Sequence, residues 1–268
     1  MRIGIVGCGT IGSAVAKAME KLPEVEETLV FDRKVSAVRS LKAILTKVTV
    51  CNELEELLFK SELVVEAASQ EAAKEVIPKA LERGRNIVVL SVGALVDEEF
   101  WDKMKALAKS TKAKIFLPSG AVCGIDGLSA AGQGELRKVE MISVKPPSAF
   151  KGVKYLEEKG IDLDAISKPT VIYKGPATEA VKLFPKNINV AASVSLAGLG
   201  FKRTVVTIIA DPSATENTHQ IVARGDFGKL TVEMANVPSP KNPRTSYIAV
   251  LSAVSAVKKI IGTVWYGA

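Results

Sequence analysis

The chain has 268 residues, of which 47% are hydrophobic and 24% are charged, and its formal net charge is +7. These proportions are typical of a globular protein long enough for one large or two ordinary domains. Its basic residues are scattered among acidic ones, which argues against a nucleic-acid-binding surface. No run approaches the roughly 18 apolar residues of a membrane span. The first residues contain no signal-peptide cleavage site, and we expect a cytoplasmic protein.

The potential metal ligands are few. The three cysteines, Cys8, Cys51 and Cys123, are widely spaced, and there is a single histidine. They form neither a paired-cysteine motif nor a disulfide framework. We therefore expect no metal site and a reducing environment.

The N-terminal segment contains a glycine motif between a predicted strand and a predicted helix. Residues 2–7 are a short apolar run typical of a buried strand, and GCGTIG (7–12) leads into a helical pattern. In such a motif Gly7 permits a tight turn, Gly9 lets the main chain approach a pyrophosphate, and Gly12 lets helix and strand pack closely. The next predicted strand ends in Asp32, 20 residues after Gly12, where a ribose-binding carboxylate is expected. This context favours a dinucleotide site over a glycine turn without a ligand.

The identity of the residues at the end of that second strand bears on cofactor choice. Asp32 should bind the adenosine ribose hydroxyls of NAD and repel the 2′-phosphate of NADP. Arg33 and Lys34 follow at once and would partly compensate such a phosphate. We therefore expect NAD to be used and NADP to be tolerated. The residues predicted to contact the cofactor in this half are Gly7, Gly9, Thr10, Ile11, Gly12, Asp32 and Arg33.

Predicted strands continue to alternate with amphipathic helices up to residue 119, which indicates a parallel sheet with helices on both faces. The fold class is therefore α/β, with a Rossmann dinucleotide-binding domain at 1–119. Ser69 and Ser91 follow two of the strands, at the edge where such sheets bind ligands, although each could equally be an ordinary turn or helix cap. The further predicted strands are 47–50, 63–69, 86–91 and 114–119.

The pattern changes after residue 119. A stretch rich in glycine and small residues (120–134) should let its main chain approach a ligand closely. Predicted strands and helices then mix, which indicates a second α+β domain at 120–243 for substrate binding and dimerisation. The apolar terminal segment, 244–268, predicts a helix that returns to complete the first domain.

His219 is the only histidine of the chain. Histidine is the side chain whose unperturbed pKa lies nearest neutrality, yet a single histidine is often an incidental structural residue. The segment 211–225 that contains it predicts a polar loop. Asp211 or Glu216 would be placed to orient the imidazole, although Asp211-Pro212 is as easily a turn.

Four stretches together carry a specific resemblance: LPSGAVCGIDG (117–127), FPKNINVAA (184–192), DPSATENTHQI (211–221) and SPKNPRTS (239–246). They resemble the L-aspartate dehydrogenase family, over nearly the whole chain. The resemblance implies that Ala121 and Asn187 bind the cofactor and that His219 is the active-site histidine. It also implies a homodimer, which fits the apolar strands predicted for the second domain.

The implied reaction is oxidation of L-aspartate by NAD or NADP to iminoaspartate, with oxaloacetate as its hydrolysis product. The substrate amine must lose a proton before hydride leaves, and a neutral imidazole can accept it. The two carboxylates need cationic or N–H partners. Two other hypotheses are a reductase of another small amino-acid precursor and a nonenzymatic NAD sensor. The candidate substrate-binding residues are Lys186, Asn242, Arg244, Thr245 and Ser246.

Overall fold

A computed structural model describes residues 1–184 and 188–267, with only the main chain at 188, 243 and 244. The chain divides into two compact units. The first comprises 1–118 and 250–266, and the second comprises 119–249 with Gly267.

The first unit contains a parallel six-stranded sheet in the order β3-β2-β1-β4-β5-β6. Its central strands are continuous apolar runs because helices cover both faces of such a sheet; Ile3, Ile5 and Leu29 are fully buried. The strands are β1 (Arg2–Val6), β2 (Glu27–Phe31), β3 (Val48–Val50), β4 (Leu63–Glu66), β5 (Asn86–Val89) and β6 (Ile115–Phe116).

Helices connect these strands and bury one face each. In α4, the buried positions Ala73, Val76, Ile77 and Ala80 recur at helical spacing. Ser69 caps its N-terminus by accepting a hydrogen bond from the Ala72 N–H at 3.2 Å. The helices are α1 (Thr10–Met19), α2 (Val35–Lys42), α3 (Leu54–Lys60), α4 (Gln70–Glu82) and α5 (Glu98–Thr111), with a 3₁₀ turn at Val92–Val96.

The second unit contains a mixed five-stranded sheet in the order β11-β10-β7-β9-β8, in which only β7 and β9 pair in parallel. A separate two-stranded sheet pairs β12 with β13. The strands are β7 (Leu136–Lys145), β8 (Thr170–Pro176), β9 (Thr204–Ala210), β10 (Asn217–Gly225), β11 (Gly228–Asn236), β12 (Pro238–Ser239) and β13 (Asn242–Ser246). The helices are α6 (Ile125–Ala131), α7 (Lys154–Glu158), α8 (Ala177–Leu183), α9 (Ile188–Ala197) and α10 (Gly200–Arg203), with a 3₁₀ turn at Pro147–Phe150.

The two faces of the five-stranded sheet differ in burial. On the inner face, Val206, Ile208 and Ile221 are almost completely buried, and α8 and α9 pack against the strands. On the outer face, Val205 and Ile209 are only half-buried. This alternation is what a half-covered sheet requires.

The final helix, α11, spans Tyr247–Ile261. Its residues Ala253 and Val257 are fully buried in the same core cluster as Ile3 and Ile5 of the first unit. Among the residues that the structure describes, no helix is both long and apolar enough to cross a membrane.

The predicted fold class is confirmed: a Rossmann-type parallel sheet with helices, plus a second unit with a mixed sheet. Two local predictions were wrong, and one helix was not predicted. The glycine-rich stretch 120–134 contains this helix, α6, which begins after Gly124 in a left-handed conformation. Arg244 and Thr245 lie on β13 rather than at the start of the terminal helix, because residues 242–246 pair with β12.

The second wrong prediction concerns His219, which lies on β10 and not on a polar loop. Its strand alternates half-buried Thr218, Gln220 and Val222 with buried His219 and Ile221, and it pairs on both sides, with β7 and with β11. The polar residues at the start of the strand obscured this alternation in the sequence.

Candidate active site

The glycine loop between β1 and α1 has the shape that a dinucleotide requires. Gly7 has a φ of +100°, and a Cβ there would lie 2.6 Å from the Ala67 carbonyl oxygen. A Cβ on Gly12 would overlap the carbonyl oxygen of Gly7. A Cβ on Gly9 would meet no atom within 4 Å. The protein's own main-chain packing thus requires glycine at positions 7 and 12, whereas Gly9 leaves the space next to the loop open.

Helix α1 begins directly after this open position. Gly9 is its N-cap and has no side chain to bond the first N–H groups, so the N–H groups of the first turn, at Thr10 and Ile11, remain for an anion. The hydroxyl of Ser13 donates to the Cys8 carbonyl at 2.8 Å and steadies the loop. The helix dipole adds a partial positive charge at this end. The loop and helix therefore fit a pyrophosphate.

Asp32 stands at the carboxyl end of β2, and both of its oxygens are engaged. Oδ2 accepts the Cys8 N–H and Oδ1 accepts the Lys34 N–H, each at 2.7 Å. A carboxylate has about four acceptor sites, so ribose hydroxyls can still bind. Burial, and then the Asp32 charge, raise the pKa of the Cys8 thiol to about 12; Cys8 is therefore a neutral thiol.

A cleft of about 630 Å³ opens beside the glycine loop and Asp32, within the first unit. Arg33 lies at its edge and forms an ion pair with Glu75 of α4 at 2.7 Å. The acidic residues of the lining outnumber the basic ones. The charged residues of this lining are Asp32, Arg33, Lys34, Glu53, Glu55 and Glu75.

Glu66 organises the carboxyl edge of the same sheet. It is fully buried at the end of β4. Its Oε1 accepts the Ala68 N–H and the Ser91 hydroxyl, both at 2.9 Å, and its Oε2 accepts the Ser91 N–H at 3.0 Å. Burial is the main cause that raises the pKa of this carboxyl. Glu66 thereby ties together the loops after β4 and β5. Sequence reasoning missed it, although a glutamate inside the apolar run LVVEAA was a visible signal.

In the second unit, His219 points to the buried face of the five-stranded sheet. Its side chain is 4% exposed, and it lies opposite Ser143 of β7 in register. Its Nδ1 has no hydrogen-bond partner among the described residues. Burial, and then the positive charge of Lys145, lower the pKa of His219 to about 3. The imidazole is therefore neutral, which is the form that accepts a proton.

Lys145 is the charged neighbour of His219. It is two residues beyond Ser143 on β7, which puts it on the same face and diagonal to His219. Desolvation lowers the pKa of Lys145 to about 8. Its main chain is held because its carbonyl accepts the Asp211 N–H at 2.9 Å, and Pro146 ends the strand. Sequence reasoning assigned no role to Lys145 or Ser143.

Ala121 is tied to this end of the sheet through Asn236. The Asn236 Nδ2 shares its two N–H protons among three carbonyl oxygens, those of Ala121 and Asn217, each at 3.1 Å, and that of Met234 at 3.2 Å. Because three carbonyls can only accept, they fix which end of the amide is the nitrogen. The remaining oxygen, Oδ1, is buried and has no partner among the described residues.

The other predicted site residues are placed differently. Lys186 and Asn187 lie outside the described residues. Asp211 accepts the Ser213 N–H and hydroxyl at 2.8 and 2.7 Å, so it forms a turn, the alternative interpretation of that motif. Asn242, Arg244, Thr245 and Ser246 all lie on β13, in the two-stranded sheet and not in the sheet that carries His219.

Comparison with known proteins identifies relatives of both units. A family model described as "Aspartate dehydrogenase, C-terminal" matches residues 126–260, and one described as "Homoserine dehydrogenase, NAD binding domain" matches 7–118. The chain is 45% identical to an L-aspartate dehydrogenase from Methanosarcina barkeri, over 100% of this chain and 99% of the relative. It is 38% identical to one from Acinetobacter baumannii, over 97% of each.

Solved structures agree with these matches. The crystal structure of aspartate dehydrogenase from Thermotoga maritima superposes with a TM-score of 0.75 and 28% identity, covering 97% of this chain and 95% of the other. A hyperthermophilic archaeal homoserine dehydrogenase in complex with NADPH has a TM-score of 0.60, 16% identity and 96% coverage of both chains. At that identity only the fold is shared.

Proposed function

The chain belongs to the L-aspartate dehydrogenase family, and we propose that it oxidises L-aspartate to iminoaspartate with a nicotinamide dinucleotide. Iminoaspartate then hydrolyses to oxaloacetate and ammonia or is passed to NAD biosynthesis. The observation that carries the proposal is the neutral, buried His219 beside Lys145, in a chain that is 45% identical to an L-aspartate dehydrogenase over its full length.

The first unit is the proposed cofactor-binding domain. The N-terminus of α1 holds the pyrophosphate, and Asp32 holds the adenosine ribose. The acidic cleft supports NAD as the preferred cofactor. Arg33 forms an ion pair with Glu75 at 2.7 Å. NADP is tolerated only to the extent that Arg33 breaks this pair and binds the extra phosphate instead. The bound nicotinamide supplies the acceptor for the hydride that leaves the substrate Cα.

The second unit is the proposed substrate-binding and catalytic domain. His219 accepts the proton that the substrate ammonium must lose before hydride transfer and passes it to solvent. Neutral again, it then takes a proton from the water that attacks the imine carbon. The strand positions of His219 and Ser143 fix the imidazole more firmly than a loop would. The residues proposed from the family resemblance to complete the site are Ala121 and Asn187 for the cofactor and Lys186, Asn242, Arg244, Thr245 and Ser246 for the substrate.

A homodimer formed through the outer face of the five-stranded sheet is part of the proposal. Val171 on this face is 55% exposed, and Val205, Ile209 and Val222 are half-buried in the single chain. Exposed apolar side chains on a sheet face are typical of an interaction site. A second copy of the same face would cover it.

The test is NADH formation with L-aspartate, D-aspartate, L-glutamate and L-homoserine side by side. The proposal expects L-aspartate to be used with the highest kcat/KM. A preference for another substrate would favour a dehydrogenase or reductase of a different amino-acid precursor. Binding of NAD without turnover of any amino acid would instead indicate a nonenzymatic sensor.

A further inference from the structure

One end of the inner face of the five-stranded sheet carries several polar side chains, whereas most of the rest of that face is apolar. His219 lies opposite Ser143 in register, and Lys145 follows Ser143 on the same face. The next pair along these strands, Ile221 opposite Met141, is apolar and buried. His219, Ser143 and Lys145 therefore form a polar group where β7 ends and β10 begins. At the opposite end of the same face lies the buried Thr204, which pairs in register with Val139.

Three buried atoms at this polar end lack hydrogen-bond partners among the described residues: His219 Nδ1, Ser143 Oγ and Asn236 Oδ1. Their side chains are 4%, 3% and 1% exposed. Buried polar atoms are nearly always hydrogen-bonded in proteins, so three unpaired atoms in one place need an explanation. A polar ligand bound at this end of the sheet supplies one.

The charge at this end indicates the chemistry of that ligand. Lys145 is half-buried, and burial lowers its pKa to about 8, so its ammonium is still mostly protonated near pH 7. A partly desolvated ammonium gains strongly from an anion, and it forms charge-assisted hydrogen bonds with carboxylate oxygens. The same positive charge disfavours protonation of His219, and an anion beside Lys145 would relieve that effect.

We propose that Lys145 recognises a carboxylate of the substrate and so holds the substrate amine against His219. That the substrate is a dicarboxylic amino acid rests on the proposed function. That the site binds a carboxylate rests only on the buried polar side chains and the Lys145 charge at this end of the sheet. Ser143, directly opposite His219, donates its hydroxyl to the same ligand. Lys145 thus acts in binding and His219 acts in proton transfer.

The test uses Lys145→Met, which removes the charge and keeps the length of the side chain. This variant should fold, because loss of a desolvated charge removes its burial penalty; Lys145→Gln serves as a second neutral variant. Lys145→Arg restores the cation. The matched control is Lys154→Met, since Lys154 lies in the same unit on α7, with its side chain 87% exposed, and pairs with Glu158 at 3.5 Å.

Two readouts separate binding from a general structural effect. The first is the KM for L-aspartate together with the inhibition constant of succinate, a dicarboxylate without an amine. In Lys145→Met both should rise, by roughly 100-fold, which is the usual effect of truncating one partner of a buried charge pair. Lys145→Arg should recover much of this loss, and Lys154→Met should match the wild type. An unchanged succinate inhibition constant in both neutral variants would overturn the proposal, even if kcat fell.

The second readout is the ring resonance of His219 with NAD⁺ present, which is unambiguous because the chain has one histidine. Succinate should shift this resonance saturably in the wild type and not in Lys145→Met. This measurement needs no turnover, so it separates the two hypotheses. A succinate response that depends on Lys145, in a protein that does not oxidise aspartate, would refute the proposed function and leave the carboxylate site standing.

Discussion

His219 should remain uncharged in the folded protein far below the pH at which an ordinary histidine protonates. Burial and the charge of Lys145 lower its pKa from 6.5 to about 3. At about pH 5, an imidazole with a pKa of 6.5 is about 97% protonated, whereas one with a pKa of 3 is about 1% protonated. The experiment therefore needs only acidification. At about pH 5 an ordinary imidazole is almost fully protonated and the shifted one almost fully neutral, so their ring chemical shifts differ by nearly the whole titration range.

The assay is an NMR titration of the histidine ring in the folded protein without substrate. One resonance belongs to His219, because no other histidine is present. We expect its chemical shift to stay constant from about pH 7 to about pH 5, the range below the Lys145 pKa of about 8. A sigmoidal change centred near 6.5 would refute the reasoning, since it would mean that the imidazole is solvated and not near Lys145.

The same shift has a consequence for stability. Because the folded-state pKa is depressed, the unfolded chain binds a proton between about pH 6.5 and 3 that the folded chain does not bind, and the free energy of unfolding falls as the pH falls through that range. At about pH 5 the loss should be roughly 2 kcal/mol. Urea denaturation of the wild type and His219→Asn at neutral pH and at about pH 5 measures it, and an equal pH dependence in the two proteins would contradict the expectation.

Three further predictions concern the cofactor and assembly. Asp32→Ala should lower the ratio of NAD to NADP efficiency by about 10-fold or more, the value of a hydrogen bond to a charged group; an unchanged ratio would remove Asp32 from ribose binding. Glu75→Gln should free Arg33 from its ion pair and raise kcat/KM with NADP about two- to five-fold, within the range of exposed ion pairs, and no gain would mean that Arg33 does not meet the phosphate. Ile209→Lys should convert a homodimer into a monomer in light scattering at micromolar concentration, and a wild-type mass near 28.5 kDa would refute the dimer.

The cofactor-binding half was predictable because its determinants are local. Gly7, Gly9 and Gly12 follow one strand, and Asp32 directly follows the next, so the motif and the order of elements are contained in the first 32 residues. The structure adds what spacing alone does not contain: the carboxylate of Asp32 binds the Cys8 N–H, and Glu75, from a distant helix, neutralises Arg33.

The substrate half was less predictable because it depends on strand pairing. His219 was identified from its rarity and from the family resemblance, but its strand was missed, since Asn217 and Thr218 resemble loop residues. Lys145 becomes a neighbour of His219 only when β7 pairs with β10. Nothing in the sequence around Lys145 distinguishes it from the other lysines except the prolines that follow it. The proposed role of Lys145 depends on its burial in the folded chain, which cannot be inferred from amino-acid composition.

The most direct test of the proposed function is the rate of NADH formation from L-aspartate by the wild type and by His219→Ala. The wild type should show sustained turnover with L-aspartate. His219→Ala should bind NADH normally, because the glycine loop and Asp32 are untouched, while its turnover should fall by roughly two to four powers of ten, the usual contribution of a general acid–base group. Near-normal aspartate turnover in His219→Ala, with intact NADH binding, would contradict the assignment of proton transfer to His219.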